Sequence, residues 1–369
     1  MSKALALAVI ATVLAGCSSK PERPEPTKLQ ALDVQADIEL RWTARVDSTP
    51  ENSPRLFPAI QDEQILIAGG EELQALDSVS GDTRWSQDLE SPVTGALGVA
   101  GNQVFWADLS GRIQAADATT GAPMWNFRWN RESILPPIAN ETGVLIASTD
   151  GDLAQLDFAG NLQWERQGQA ARLGYRGQAK PLAISGGYIV ADDTGDVAAV
   201  LVEDGLDAWR RALGTGRDEL IDLDADPALS AGSIIVAGAQ TGVSALDPQN
   251  GQVRWDTEVF SLTALSATET QVFATDPDGQ IFAIDSQTGE VQWRQPGLKF
   301  RFPSGPQVVE GGVFVADSLG VVHVLDPQTG EFIARTRSAL GGTISLTPIE
   351  QDVIAMDNSG RVARIGFTN

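Results

Sequence analysis

The chain has 369 residues, with 26 Lys and Arg against 49 Asp and Glu, a net charge of −23, one His and one Cys. A surface this acidic repels polyphosphate backbones and anionic headgroups, which argues against nucleic acid or a charged lipid surface as ligand and reads instead as solubility. One Cys cannot form an internal disulfide, and one His with one Cys is too few for a zinc site.

Residues 1–16, MSKALALAVIATVLAG, place one Lys before an apolar run that ends in small residues. This is a secretory signal, too short and wrongly flanked to span a membrane. It leads into Leu14-Ala15-Gly16-Cys17, which resembles a bacterial lipobox, so Cys17 is expected to carry lipid and to begin the mature chain. Loss of Lys3 then leaves 25 basic against 49 acidic side chains, a net charge of −24. Residues 20–28, KPERPEPTK, are rich in Pro and charge and read as an extended tether. The expected organisation is a signal at 1–16, lipidated Cys and tether at 17–30, and one domain over 31–369. No later stretch has the apolar length of a membrane-spanning helix.

Length alone suggests two domains, but an internal repeat overrides it. IELRWTARV, from Ile38, reads as an outer strand carrying Trp42. ALDSVSGDTRW follows from Ala75, AADATTGAPMW from Ala115, ALDPQNGQVRW from Ala245 and AIDSQTGEVQW from Ala283. Weaker copies begin at Gln155, Ala199 and Val324. The motif glycines, at 81, 121, 160, 205, 251, 289 and 330, are spaced by 40, 39, 45, 46, 38 and 41 residues, and a Trp follows each by four positions except at Ala334.

Each unit contains β-rich runs joined by turn chemistry, as in QVFWA, Ser110-Gly111 and RIQAA from Gln103. Units near 40 residues with about four strands each predict propeller blades, and no 3.6-residue period supports helices. Within a blade, the Asp is expected to accept turn amides, the Gly to permit a left-handed turn, and the Trp to pack on the neighbouring blade. After Gly330 the sequence DVIAMDNSGRVARIGF, from Asp352, supplies two more strands. Pairing of the N-terminal strand with these closes an all-β, eight-bladed propeller with no free edge; seven blades is the alternative count.

Motifs of this shape are known from quinone-cofactor dehydrogenases, which would require adjacent cysteines, a calcium site and a carboxylate base. The only Cys is assigned to lipid. His323, in the strand VVHVL, is the only histidine, and an alternating apolar strand marks it as a packed core residue. Asp276-Pro277-Asp278-Gly279 resembles the start of an EF-hand loop but lacks the later acidic ligands, so it reads as a hairpin turn; residues 192–196, DDTGD, read the same way. The expectation is no catalytic residue, no metal and no cofactor.

Function then falls to the loops. Two adjacent connections are long: Trp164 to Pro181 and Trp209 to Pro227, whereas Trp85 reaches Pro92 in seven residues. The first is basic and carries Leu173, Tyr175 and Arg176; the second is acidic and ends in Asp222, Asp224 and Asp226. An apolar anchor, an Arg and carboxylates suit a protein-binding patch.

Lipobox, Pro-rich tether and an A-x-D-x-x-T-G-x-x-x-W repeat without cofactor ligands together resemble the outer-membrane assembly factor BamB family. The resemblance covers essentially the mature chain. It implies a lipoprotein on the periplasmic face of the outer membrane that binds the POTRA domains of BamA and, through it, the other assembly lipoproteins, with unfolded outer-membrane proteins as a further candidate partner. It also implies partner-binding L-x-L-R-G and D-x-D-x-x-P elements, matched here by residues 173–177 and 222–227, with Tyr175 in place of the second Leu. Ser18 after the lipid Cys is compatible with outer-membrane sorting. A periplasmic quinoprotein-like dehydrogenase and a lipoprotein binding carbohydrate or peptide remain the alternatives.

Overall fold

In each repeat the two middle strands are apolar on both faces and the outer strand alternates. Gln64–Gly69 is buried throughout, whereas Thr83–Asp88 turns every second residue to solvent. Such middle strands must be covered on both sides, and stacking repeats around an axis does this. The computed structural model describes residues 24–47, 56–168, 179–192, 194–213, 223–238 and 240–368. Its strands form eight four-stranded antiparallel sheets, and no helix occurs among the described residues.

Blades 1 to 7 take their four strands consecutively, over residues 59–88, 98–128, 138–166, 182–212, 228–257, 266–295 and 307–337. Blade 8 is composite. Its three inner strands are Ile344–Ile349, Asp352–Asp357 and Arg361–Phe367, one more than expected from the C-terminal stretch, and Ile38–Arg45 is its outer strand. The N- and C-terminal strands pair from Ile38 opposite Phe367 to Arg45 opposite Arg361. The expected eight-bladed closure is therefore the one observed.

The repeat motif does the work assigned to it. In blade 1, Asp77 Oδ1 accepts the amides of Val79 and Ser80 at 3.0 and 2.9 Å, and the Gly81 amide donates to the Asp77 carbonyl at 2.9 Å. The Arg84 guanidinium, with the Ser80 amide behind it, holds the Asp77 carboxyl down at about 2. Gly81 has φ 76°, and a Cβ there would stand 2.6 Å from the Trp42 ring, so left-handed backbone and close approach both demand glycine. Trp42 lies on that glycine and its Nε1–H donates to the Ser78 carbonyl at 3.1 Å. The tryptophan of one blade thus locks onto the turn of the next. Opposite the motif, seven blades carry the same register shift between their third and outer strands, for example between Ala75 and Leu76.

Alternating strand direction sorts the connections onto two faces. Turns between second and third strands, and all blade-to-blade connections, emerge on one side, here called the loop face.

Candidate functional site

Both long connections belong to the loop face. The first leaves blade 3 after Arg166 and enters blade 4 at Leu182; the second leaves blade 4 after Ala212 and enters blade 5 at Ala228. Leu173, Tyr175, Arg176 and Asp222, together with Cys17, lie outside the described residues. The roots of the connections are described. The Gly168 amide donates to Asp152 Oδ1 at 2.8 Å, and the Leu213 amide to the Gly195 carbonyl at 2.9 Å. The two returning ends are tied directly, because the Lys180 amide donates to Asp226 Oδ1 at 2.8 Å.

Leu223 and Ala225 are buried, the first against blades 4 and 5 and the second against blades 5 and 6. Asp224 between them is only 9% exposed. An open contact surface was expected from Asp224; its carboxylate sits instead at the root of the connection.

Beside the described ends of the first connection, between blades 3 and 4, lies a cavity of about 270 Å³ lined by Leu135, Ala179 and Pro181 together with charged groups. Arg166 reaches Asp207 at 2.6 Å, while Arg210 meets Asp207, Asp192 and Asp196 at 2.8, 3.2 and 3.4 Å. Burial pushes the Asp207 carboxyl up, but the two guanidiniums outweigh it and hold it below its ordinary value. Burial likewise lowers Arg210 and its carboxylate partners more than reverse this. Asp207 and Arg210 therefore both keep their charges at neutral pH. The cluster is a stiff, charge-paired wall. Arg166 and Arg210 went unnoticed in the sequence because they merely follow motif tryptophans; only the juxtaposition of blades 3 and 4 brings Arg166 to Asp207.

The other sequence candidates are structural. Asp276 Oδ1 accepts the Gln280 amide at 2.7 Å and Asp192 Oδ1 the Asp196 amide at 3.0 Å, so both acidic stretches are turns between strands. His323 is fully buried in blade 7, with Nε2 3.0 Å from Asp317 and Nδ1 3.1 Å from Arg335 Nε. Burial holds its imidazole below the ordinary value, against the pull of Asp317. With both nitrogens engaged it offers no ligand atom. Among the described residues no group of three or more His, Cys, Asp or Glu is placed to hold a metal ion.

These features define a class: an eight-bladed β-propeller whose blades are locked by Trp-on-Gly contacts and whose loop face carries two tied connections. The fold is shared with quinohemoprotein alcohol dehydrogenase from Comamonas testosteroni, at a TM-score of 0.69 and 13% identity, covering 90% of this chain and 76% of that one. BamB from Moraxella catarrhalis is more similar, with a TM-score of 0.80 and 25% identity over 89% of this chain and 100% of that one. Outer membrane protein assembly factor BamB of Yersinia pestis is 25% identical over 377 residues, 96% of each chain, and that of Escherichia coli K12 is 26% identical over 347 residues, 88% of each. A family model described as outer membrane protein assembly factor BamB matches residues 27–191, 69–295 and 193–368. The chain belongs to the BamB family of outer membrane protein assembly factors.

Proposed function

We propose that this protein assists the assembly of outer-membrane proteins without catalysis, as a lipoprotein anchored through Cys17 to the periplasmic face of the outer membrane, by binding BamA with the loop face of blades 3 to 5. The observation that carries the partner surface is the tie between the two long connections: the Lys180 amide on Asp226 joins their ends, so both act as one surface. Family membership supports the assembly role, and the lipobox supports the anchor. Leu173 and Tyr175 supply apolar anchors, while Arg176 and Asp222 supply charge. Asp224, buried at the root, shapes the second connection from within.

Arg176→Glu with Asp222→Lys should abolish co-purification with BamA from solubilised envelopes, because truncating or reversing such anchors typically costs about 2 kcal/mol or more of binding. The β-sheet circular dichroism and melting of this variant should stay unchanged. Full BamA binding by the folded variant would refute the surface. Asp224→Lys should differ by lowering the melting temperature as well, since it forces a new charge into a buried position.

A further inference from the structure

Residues 24–37 precede the first strand and run along the outside of blade 7. At the loop face, Thr27 donates through both its amide and its hydroxyl to the Lys299 carbonyl at 3.0 Å, and Arg301 Nη1 donates to the Thr27 carbonyl at 3.1 Å. Leu29 packs on the core formed by blades 6 and 7. Arg335 Nη1 donates to the Gln30 carbonyl at 3.1 Å. At the opposite face the Gln35 and Ala36 amides both donate to the Ile333 carbonyl, at 3.0 and 3.2 Å. Residues 27–30, at the end of the expected tether, are thus part of the ring surface.

The two arginines that grip this segment are themselves fixed. Arg301 Nε donates to Asp317 Oδ2 at 2.6 Å, and the same oxygen is 3.0 Å from His323 Nε2. Arg335 Nε lies 3.1 Å from His323 Nδ1. A guanidinium can only donate, so Nδ1 is the acceptor, the imidazole is neutral, and its proton sits on Nε2 facing Asp317. A continuous chain runs from the Thr27 carbonyl through Arg301, Asp317, His323 and Arg335 to the Gln30 carbonyl. Asp317 and His323 have no exposed surface, so the middle of this bracket is dry and charge-assisted, the setting in which such bonds are strongest, while the Arg335–Gln30 bond at its end is exposed.

We infer that Arg301 and Arg335 form a clamp that fixes where the N-terminal anchor leaves the ring, at the loop-face rim of blade 7, so that the loop face is held toward the membrane. This rests on the reading of Cys17 as the acylated residue. Ten residues separate Cys17 from Thr27, a span of at most about 35 Å even fully extended. Without the clamp the first held residue is Gln35, on the opposite face and eighteen residues from Cys17, and the span grows to roughly 60 Å, enough for the ring to turn over. The two long connections share the loop face, so the clamp also sets which way the proposed partner surface points.

The test uses the acylated full chain in phosphatidylethanolamine–phosphatidylglycerol vesicles carrying an acceptor-dye lipid. A donor dye is placed on Leu319→Cys, 54% exposed on the loop face of blade 7, or on Glu331→Cys, exposed on its opposite face. Stronger energy transfer from position 319 than from 331, with the difference collapsing in Arg301→Ala/Arg335→Ala, supports the clamp. Equal transfer, or stronger transfer from 331, in the chain with both arginines overturns it. Amide exchange on the soluble Cys17→Ser chain reads the clamp without the anchor. Loss of protection at the Thr27 amide in the double variant, with protection kept across Val313 to Ala316, supports it; protection kept at Thr27 overturns it. If the double variant loosens all of blade 7, the single Arg335→Gln change makes the same comparison with the Arg301–Asp317–His323 set intact. A chain that never associates with vesicles refutes the acylation reading and leaves the exchange result standing.

Discussion

At seven blade junctions a tryptophan lies on the motif glycine of the next blade and its Nε1–H closes a bond of 2.7 to 3.1 Å to a turn carbonyl. At the junction of blades 7 and 8 the tryptophan position is Ala334, and the third strand of blade 8 pairs with the distant Ile38–Arg45 instead of with a strand reached through a motif turn. Phe367 fills that space, edge-on to Phe314 at 5.5 Å, and Ala36 and Ile38 from the N-terminus cover the same core. Within blade 8 itself, ion pairs tie the N-terminal strand to the C-terminal ones: Asp352 accepts Arg41 Nε at 2.7 Å and Arg364 Nε at 2.5 Å. Where repeats follow one another, a local motif repeated in sequence can lock neighbours. Where the two ends meet, no copy of the motif is available and distant segments supply the contacts.

Breaking the composite blade should have the largest effect. A chain starting after Val46 lacks the outer strand of blade 8, Trp42 and the Arg41–Asp352 pair, and leaves an open edge. Its cooperative thermal transition should disappear; a cooperative melt near that of the whole chain would show that closure contributes little. Next is a repeat junction: Trp255→Ala, which empties the space over Gly289, should cost about 3–5 kcal/mol in denaturant unfolding. The opposite change probes whether the closing junction is merely a degraded copy. Ala334→Trp should destabilise by about 1–3 kcal/mol, because the site is already filled. A stabilised Ala334→Trp would mean that the closing junction is a tryptophan site left empty.

Acid separates the two kinds of junction with the smallest effect. His323, beside the closing seam, is held below its ordinary value by burial, so as pH falls below about 6.5 the unfolded chain takes up the proton first. Stability should therefore decline from pH 7 towards 5, and His323→Gln should flatten that part of the melting-temperature profile. The turn carboxylates of the repeats act lower. Asp77, held at about 2 by Arg84 and the turn amides, contributes stability that is present above its ordinary value near 3.8 and lost as pH falls through that range. Asp247 and Asp285, held low by Arg254 and the Thr288 amide respectively, act in the same direction. A slope between pH 7 and 5 that survives in His323→Gln would place its origin elsewhere.

The site was less legible than the fold. Excess length marked out the two connections between Trp164 and Pro227, and burial of Leu223, Asp224 and Ala225, the second to fourth residues of D-x-D-x-x-P, was not visible there. Nothing in the linear sequence distinguishes an Asp aimed at solvent from one that is buried, as Asp224 is. The Lys180–Asp226 tie and the Arg166–Asp207 pair join residues 46 and 41 positions apart, one blade to the next, and no spacing rule announces them.

The sequence by itself determined the blade number, the strand order within each blade, and the Asp, Gly and Trp roles. These depend on alternation, turn chemistry and a fixed four-residue step, interactions that are local or repeat with the period of the fold. Tertiary structure alone decided how the ring closes, which groups accompany the buried histidine, and where the N-terminal segment lies. Those contacts join residues such as Thr27 and Lys299 or Arg41 and Asp352, 272 and 311 positions apart, and each occurs once. A contact made once, between segments that only the closed ring brings together, leaves no period in the sequence to read.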